Sequence, residues 1–239
     1  MRGFVAEALG FADTLRSELG VQLEVIDFGG SLGITTVREF SMLDKRLVRT
    51  LLTPVGGPDY TTRLDPEKYA DALVKQVKAH FKERKLNVPR IAIEPGRALT
   101  GNTQALVTRV LTTRESDGIT YAVLDAGVNI AGILNQELHQ IYRVTDYGAN
   151  AGLSGADKRL YRLVGPICQP GDVTFHCVRL PKLSPGDVMM IMDSGAYFEP
   201  DSTSFSFRRP GTLAVENKLA FTIRRAESFA DMIDRDVFC

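Results

Sequence analysis

The sequence predicts an α/β plus all-β protein, in which about 100 residues with parallel strands precede a β-domain of antiparallel strands that extends to residue 239. In the first part, apolar residues recur at helical spacing, and two short apolar strands lie between the helices. Each of these strands runs into a turn that contains glycine. After Gly101 the pattern changes to short strand-forming runs separated by turn signals. No spacer marks this change, so we place the boundary between the domains, 1–100 and 101–239, at the change itself.

The first predicted element is an amphipathic helix that ends before Gly20, a residue typical of helix C-termini. A strand over 21–28 follows, and Gly29-Gly30-Ser31 closes it. The backbone N–H groups of a glycine pair can converge on an anion, although a plain turn has the same composition. The predicted apolar face of the helix consists of Phe4, Ala8, Phe11, Leu15 and Leu19.

Two more helices lead to the second strand. Residues 35–52 are predicted to be helical, and 53–64, rich in proline and glycine, are predicted to form a loop. Asp65 then caps a helix with Pro66 at its first position. The strand–helix–strand order implies parallel strands joined by a right-handed crossover. The predicted buried face of this last helix consists of Tyr69, Leu73, Val77 and Phe81.

The second strand, Ile91-Ala92-Ile93, is followed at its carboxyl end by residues that could bind a ligand. Glu94 could accept a hydrogen bond from a protonated ring nitrogen, and Gly96 permits close approach of the backbone to a ligand. Arg97 offers a planar fork suited to phosphate. Because parallel strands end at the same edge, this turn and the Gly29 turn are predicted to share one site. The alternative is an ordinary turn in which Glu94 pairs with Arg97.

Short strands with turns between them predict an antiparallel sandwich or barrel for the second part. Two of its turns are unusual for a purely structural sheet. The turn from Gly165 to Asp172 carries Cys168 at its tip, and Asp193-Ser194-Gly195-Ala196 ends on Tyr197. The alternatives are a cysteine that packs as a small apolar residue and a tyrosine that only packs. The predicted strands cover 103–114, 119–125, 139–145, 160–168, 172–180, 188–193 and one or two within 213–225, and a helix covers 226–238.

Composition excludes several classes of protein. Lys+Arg and Asp+Glu are both 29, and this zero net charge argues against a nucleic-acid partner. No apolar run is long enough for a bilayer, and the N-terminus does not read as a signal peptide, so no membrane association is expected. Cys168, Cys177 and Cys239 form no disulfide framework, which fits a reducing cytoplasm. The three histidines are isolated, so no metal site is predicted.

Five stretches together resemble the fold-type III pyridoxal-phosphate decarboxylases, the diaminopimelate, ornithine and arginine decarboxylase family. They occur in the family's order and, with Ile223-Arg224-Arg225-Ala226-Glu227-Ser228, span about Val21 to Asp231. The resemblance implies a partial (β/α)8 barrel of the alanine racemase kind followed by an antiparallel β-barrel or sandwich. The five stretches are Val25-Ile26-Asp27-Phe28-Gly29-Gly30, Ile93-Glu94-Pro95-Gly96-Arg97, Leu124-Asp125-Ala126-Gly127, Gly165-Pro166-Ile167-Cys168 and Asp193-Ser194-Gly195-Ala196-Tyr197.

The resemblance also implies a function and a set of cofactor-binding residues. The function is that of a pyridoxal-phosphate-dependent amino-acid decarboxylase, which releases CO2. Glu94 would pair with the pyridine nitrogen and keep it protonated, which makes the ring an electron sink. The residues expected to hold the cofactor phosphate are Gly29, Gly30, Gly96, Arg97 and the hydroxyl of Tyr197.

On the substrate side, the resemblance implies that Cys168 donates a proton to the α-carbon after CO2 leaves. In the family this cysteine reaches in from the second subunit, so a homodimer with shared active sites is expected. Asp125 would lie near the distal end of the substrate, also across that interface. Gln169, beside the cysteine, and Phe205 would line the same pocket.

Several residues depart from the family pattern. Ser31 stands for the third glycine of the glycine run, and Gln169 stands for the acidic residue that holds a distal amine. No arginine lies between Glu115 and Tyr142, where diaminopimelate decarboxylases place one for the distal carboxylate. The residues around Phe205 also differ. These departures indicate a divergent branch with a different amino-acid substrate.

The largest departure is an absence. The family's Schiff-base lysine, in a stretch resembling Tyr-Ala-Val-Lys-Ala-Asn, and the histidine that stacks on the ring do not occur. The chain is therefore expected to be the C-terminal part of a longer enzyme, a subunit of a split enzyme whose lysine lies on a second chain, or an inactive homologue that binds a protein partner. An amino-acid racemase is disfavoured, because racemisation needs two opposed bases and Cys168 stands in a decarboxylase context.

Overall fold

The computed structural model describes residues 2–30, 32–58, 65–144 and 158–237. Its contacts divide the chain into two units, 1–35 with 59–100 and 36–58 with 101–239. The segment 36–58 thus packs with the second unit, whereas the sequence interpretation had placed it with the first. Ser31, Thr145, Gly148, Cys239, the end of the predicted loop (59–64) and the last residues of the predicted terminal helix lie outside the described residues.

The described elements include both helices and strands as far as residue 100, and strands dominate afterwards. Two 3₁₀ turns, Gly101–Thr103 and Gly132–Asn135, accompany them. In chain order the elements are α1 (Arg2–Leu19), β1 (Val25–Asp27), β2 (Arg38–Glu39), α2 (Met42–Thr50), α3 (Pro66–Glu83), β3 (Arg90–Ala92), α4 (Arg97–Thr100), β4 (Leu106–Ser116), β5 (Ile119–Leu124), α5 (Val128–Ala131), β6 (Glu137–Leu138), β7 (Ile141–Arg143), β8 (Arg159–Val164), β9 (Val173–Leu180), β10 (Val188–Ile191), β11 (Thr212–Glu216), β12 (Leu219–Arg224) and α6 (Phe229–Ile233).

The first unit contains a parallel pair of strands, as the sequence predicts. β1 lies beside β3, with Val25 opposite Arg90 and Asp27 opposite Ala92. Helix α3 begins where predicted, because the Asp65 side chain accepts the N–H groups of Glu67 and Lys68. The buried core of the unit consists of Val5, Leu9, Ala12, Ile26, Phe28, Leu73, Val77 and Phe81.

The buried face of α1 differs from the predicted one. Val5, Leu9 and Ala12 are buried, whereas Phe4 and Phe11 are 56% and 62% exposed. The helix carries apolar residues on two sides, so helical spacing alone permitted either face to be buried. The smaller side chains pack against α3 in the core, and this packing determines which face of α1 is buried.

The predicted helix over 35–52 is shorter than expected. Arg38–Glu39 is extended and pairs with Glu137–Leu138. Ser41 then caps α2, because its side chain accepts the N–H of Asp44 while the Asp44 carboxylate accepts the N–H of Ser41. The cap marks where the extended segment ends and the helix begins.

The second unit is built around a mixed six-stranded sheet, which corrects the expectation of a wholly antiparallel domain. The strand order is β7-β10-β4-β5-β8-β9, and β5 pairs with β8 in parallel. A parallel pair needs a long crossover instead of a hairpin turn. Residues 125–158 between β5 and β8 supply that length. The core contains Leu124, Tyr161, Leu163, Met189 and Ile191.

The chain finishes with a hairpin and a short helix. β11 and β12 pair antiparallel, and every residue of β12 is exposed. The predicted terminal helix over 226–238 is wrong in length, because α6 covers only Phe229–Ile233 and Ser228 caps it. Among the described residues, no helix combines the length and the apolar character needed to cross a membrane.

Candidate functional site

Two turns meet at the carboxyl ends of β1 and β3 in the first unit. The N–H of Phe28 donates to the carbonyl of Ala92 over 3.0 Å, which continues the strand pairing. The N–H of Glu94 then donates to the carbonyl of Gly29 over 2.8 Å. The Gly29 turn and the Glu94 turn, which the sequence expects to share a site, are therefore adjacent.

Glycine is required at this junction. A Cβ on Gly30 would overlap the carbonyl oxygen of Glu94, so the two turns approach too closely for any side chain there. Gly29 has a φ of +65° and open space around its Cβ position. Its N–H donates to Oδ1 of Asp27 over 2.8 Å. An anion at this turn would therefore bind N–H groups other than that of Gly29.

The two charged candidates occupy the β3 side of the junction. Glu94 is exposed, and its carboxylate makes no hydrogen bond or ion pair within the part of the chain that the structure describes. The alternative in which Glu94 pairs with Arg97 is therefore not observed. Gly96 has a φ of +41°, and Arg97, half-buried, begins α4 directly after it.

In the second unit, Cys168 lies exposed on the turn that joins β8 to β9. Short backbone bonds fold this turn, from the N–H of Gln169 to the carbonyl of Ile167 and from the N–H of Asp172 to the carbonyl of Gln169. Gln169 is also exposed. The cysteine is thus presented to solvent, and its alternative role as a buried apolar residue does not hold in this unit.

Asp125 directly follows β5, and its side chain makes two hydrogen bonds within the second unit. Its Oδ1 accepts the hydroxyl of Thr108 over 2.6 Å and the N–H of Arg109 over 2.8 Å. The residue remains exposed. These two bonds fix its orientation on the sheet while the side chain stays accessible.

A buried carboxylate, Asp172, joins these two regions. Its Oδ2 accepts the N–H of Ile167 in the cysteine turn over 2.9 Å, and its Oδ1 accepts the N–H of Val128 over 2.7 Å. Asp172 is only 5% exposed. Its role was not predicted from the sequence, because its partners are backbone N–H groups that any residue could supply.

Phe205 connects to the same region through Asn129. The carbonyl of Asn129, in α5, accepts the N–H of Thr203 over 2.8 Å, and Phe205 follows two residues later. Phe205 is 54% exposed. The amide atoms of Asn129 are buried and have no hydrogen-bond partner among the described residues. Cys168, Asp125 and Phe205 thus belong to neighbouring segments of one unit.

Tyr197 lies in the turn after β10, also in the second unit. It has a φ of +69° and is 47% exposed. Behind the turn, buried His139 donates from Nδ1 to the carbonyl of Met192 over 2.9 Å, and its ring meets Phe198 edge-on at 5.2 Å. Burial raises the pKa of the Asp193 carboxyl in this turn, against the effect of His139.

Comparison with solved structures defines the class of fold. The crystal structure of the diaminopimelate decarboxylase from M. jannaschii in complex with L-lysine superposes with a TM-score of 0.72 at 24% identity. The match covers 100% of this chain and 49% of that chain. The fold is therefore that of the fold-type III decarboxylases.

Sequence comparison then gives the family. Residues 12–195 match the family model described as pyridoxal-dependent decarboxylase, C-terminal sheet domain, and the chain belongs to this family. The diaminopimelate decarboxylase of Archaeoglobus fulgidus is 29% identical over 228 residues, which are 91% of this chain and 46% of that protein. That of Methanothermobacter thermautotrophicus is 29% identical over 236 residues, which are 96% of this chain and 48% of that protein. The chain spans about half the length of these curated relatives.

The residues at the strand ends fit part of a pyridoxal phosphate. An exposed carboxylate at Glu94 suits the protonated ring nitrogen, and Arg97 with the closely packed glycine turns suits the phosphate. The aldehyde of the cofactor needs a lysine, and neither β1 nor β3 carries one. The lysines of this unit, Lys68, Lys75, Lys78, Lys82 and Lys85, lie on α3 or directly after it.

Proposed function

We propose that this chain is the C-terminal portion of a pyridoxal-phosphate-dependent amino-acid decarboxylase. The observation that carries the proposal is the junction of the Gly29 and Glu94 turns at the carboxyl ends of β1 and β3. There, a carboxylate and a guanidinium follow one strand, and a glycine turn follows its neighbour. Ligands of α/β folds bind at this edge, and family membership indicates which ligand.

Each cofactor residue has a defined task in this proposal. When bound, pyridoxal phosphate supplies an electron sink for the electrons left by the departing CO2. Glu94 would hold the proton on the ring nitrogen, and the guanidinium of Arg97 would bind the phosphate. Gly29 and Gly96 would let the backbone approach that phosphate closely, and Gly30 lets the two turns meet. By the family resemblance, the hydroxyl of Tyr197 would supply a further donor to the phosphate.

The second unit acts on the substrate. Cys168 donates its thiol proton to the α-carbon once CO2 has left, which its solvent exposure permits. Asp125, Gln169 and Phe205, all exposed, face the distal part of the amino acid. Because Gln169 is neutral, a distal ammonium group would find its counter-charge at Asp125 instead. Diaminopimelate is the first substrate to assay, with lysine, ornithine and arginine beside it.

The proposal also concerns assembly. The first unit would be part of a (β/α)8 barrel, and the strands after residue 101 would form a β-barrel or sandwich domain, to which 36–58 adds. The Schiff-base lysine lies on a segment outside these 239 residues, in the same polypeptide or a second chain. A homodimer with shared active sites completes the enzyme, and the cysteine content suits the cytoplasm.

Binding of pyridoxine 5′-phosphate tests the cofactor site without the lysine, because this compound has no aldehyde. We expect saturable binding by calorimetry, at least about tenfold weaker for Arg97→Ala, since a charge-assisted bidentate contact is lost. Arg90→Ala is the matched control, because Arg90 is an exposed arginine at the other end of β3, and it should bind as the unmodified chain does. Equal binding by Arg97→Ala, or none by the unmodified chain, would contradict the proposed site.

A further inference from the structure

Asp172 holds two separate turns with one carboxylate. Its Oδ2 accepts from Ile167, one residue before Cys168, and its Oδ1 accepts from Val128, three residues after Asp125. The carbonyl of Asp172 also accepts the N–H of Gly165 over 3.0 Å. Gly165 and Ile167, which precede Cys168 in this turn, therefore both donate to Asp172.

Two glycines, Gly127 and Gly165, allow the two turns to approach the Asp172 carboxylate closely. A Cβ on Gly127 or on Gly165 would overlap its oxygens, and one on Gly165 would also overlap the Cα of Gly127. A carboxylate that is 5% exposed is costly to bury unless backbone N–H groups satisfy it. The two N–H groups of separate turns provide that compensation, so neither turn can move away without leaving the charge unsatisfied.

We propose that Asp172 is a positioning residue that locks the Cys168 turn onto the Asp125 turn. The lock fixes the separation between the group that protonates the α-carbon and the group that faces the distal end of the substrate. This inference rests on the proposed function for those two roles alone. The linkage between the turns is a property of the second unit and is testable without any catalysis.

Hydrogen exchange of the 239-residue chain, read at single amides by NMR, tests the linkage. In Asp172→Asn one oxygen becomes an NH2 group that cannot accept. We expect exchange at both Val128 and Ile167 to accelerate by about tenfold or more, as the loss of a charge-assisted bond implies. Gly165→Ala should accelerate exchange at Val128, in the other turn, and Gly127→Ala should accelerate it at Ile167. Asp187→Asn is the control, because Asp187 accepts the Ser184 N–H in a different turn.

An effect confined to one turn, or an equal effect in Asp187→Asn, would overturn the linkage. Should the variants fail to fold, the unmodified chain decides the question. Val128 and Ile167 should then exchange through the same opening, with equal protection and equal dependence on denaturant. Unequal values would contradict a shared lock.

Kinetics of the lysine-containing holoenzyme test the consequence for catalysis. In Asp172→Asn we expect kcat to fall and KM for the amino acid to rise, each by about tenfold, because both ends of the substrate lose their fixed groups. A residue that only stabilises the fold would reduce the active fraction and leave KM unchanged, and that result would overturn the positioning role. If the holoenzyme decarboxylates no amino acid, the proposed function fails, whereas the exchange experiment still decides the linkage.

Discussion

The N–H of Glu94 donates to the carbonyl of Gly29 over 2.8 Å, so the turn after β3 is fastened to the turn after β1. The bond lies two residues past the end of each strand of the parallel pair, at the edge where ligands bind in α/β folds. It holds the turn that carries Glu94 next to the turn that carries Gly29 and Gly30. Substitutions at this contact therefore report on the assembly of the cofactor site.

Gly30→Ala should disrupt this junction. Its new Cβ would overlap the carbonyl oxygen of Glu94, so we expect the free energy of unfolding to fall by about 1–3 kcal/mol, as for other overpacked sites. Urea denaturation measures the change. Gly33→Ala is the matched control, because no atom lies within 4 Å of its Cβ position. A Gly30→Ala chain as stable as the Gly33→Ala chain would show that the close approach does not exist.

Asn129→Leu should stabilise the chain. Both amide atoms of Asn129 are buried without partners among the described residues, and leucine of similar shape removes that cost. We expect the free energy of unfolding to rise by about 1–2 kcal/mol. Thr174→Val makes the contrast, because its buried hydroxyl donates to the Leu163 carbonyl over 3.2 Å and its loss should destabilise. If Asn129→Leu destabilises as well, the amide has a partner.

His176 should make stability depend on pH. Burial, and then the charges of Arg49 and Arg162, lower its pKa from 6.5 to about 4. The unfolded chain therefore takes up a proton that the folded chain refuses as the pH falls from about 6.5 to about 4. The free energy of unfolding of the unmodified chain therefore falls across this window, and His176→Gln should gain stability relative to it there. Denaturation midpoints at pH 8 and pH 5 measure this gain, and a constant difference between the two chains would contradict it.

Glu227 should give a second dependence on pH, at lower values. Hydrogen bonds from the backbone N–H of Arg209, the Ser204 hydroxyl and the Arg209 side chain lower its pKa from 4.5 to about 2. The carboxylate therefore contributes stability above pH 4.5, and this contribution is lost as the pH falls toward 2. Glu227→Gln should flatten that part of the profile, measured by urea denaturation.

The control for Glu227 is Glu216→Gln, an exposed glutamate at the end of β11. It should keep the profile of the unmodified chain. Ser204 precedes Phe205, so Glu227→Gln should also accelerate hydrogen exchange near the candidate substrate residue. Identical profiles for both variants would mean that the hydrogen bonds to Glu227 do not form in solution.

Local signals explain which parts of the fold were predictable. Asp65 and Pro66 start α3 through bonds within one turn of the chain, and the strand–helix–strand order predicted the parallel pairing. The two-residue pairing of β2 with β6 joins distant segments and leaves no periodicity in the sequence. The parallel contact of β5 with β8 was missed for the same reason.

The candidate site divides in the same way. Glu94 and Arg97 were found because their side chains carry recognisable chemistry at a strand end. Asp172 was missed because its partners are backbone N–H groups of Val128 and Ile167, which any residue could supply. A short polar residue that closes a turn four positions after a candidate cysteine is the signal that could have identified it.

The location of the Schiff-base lysine tests the central claim most directly. The chain would be incubated with pyridoxal phosphate, reduced with borohydride, and analysed by intact mass and peptide mapping. We expect no single lysine to be labelled stoichiometrically, because the lysines of the first unit lie on α3 or directly after it. A tight adduct at one lysine of this chain would contradict the account, since the chain would then build a complete cofactor site by itself.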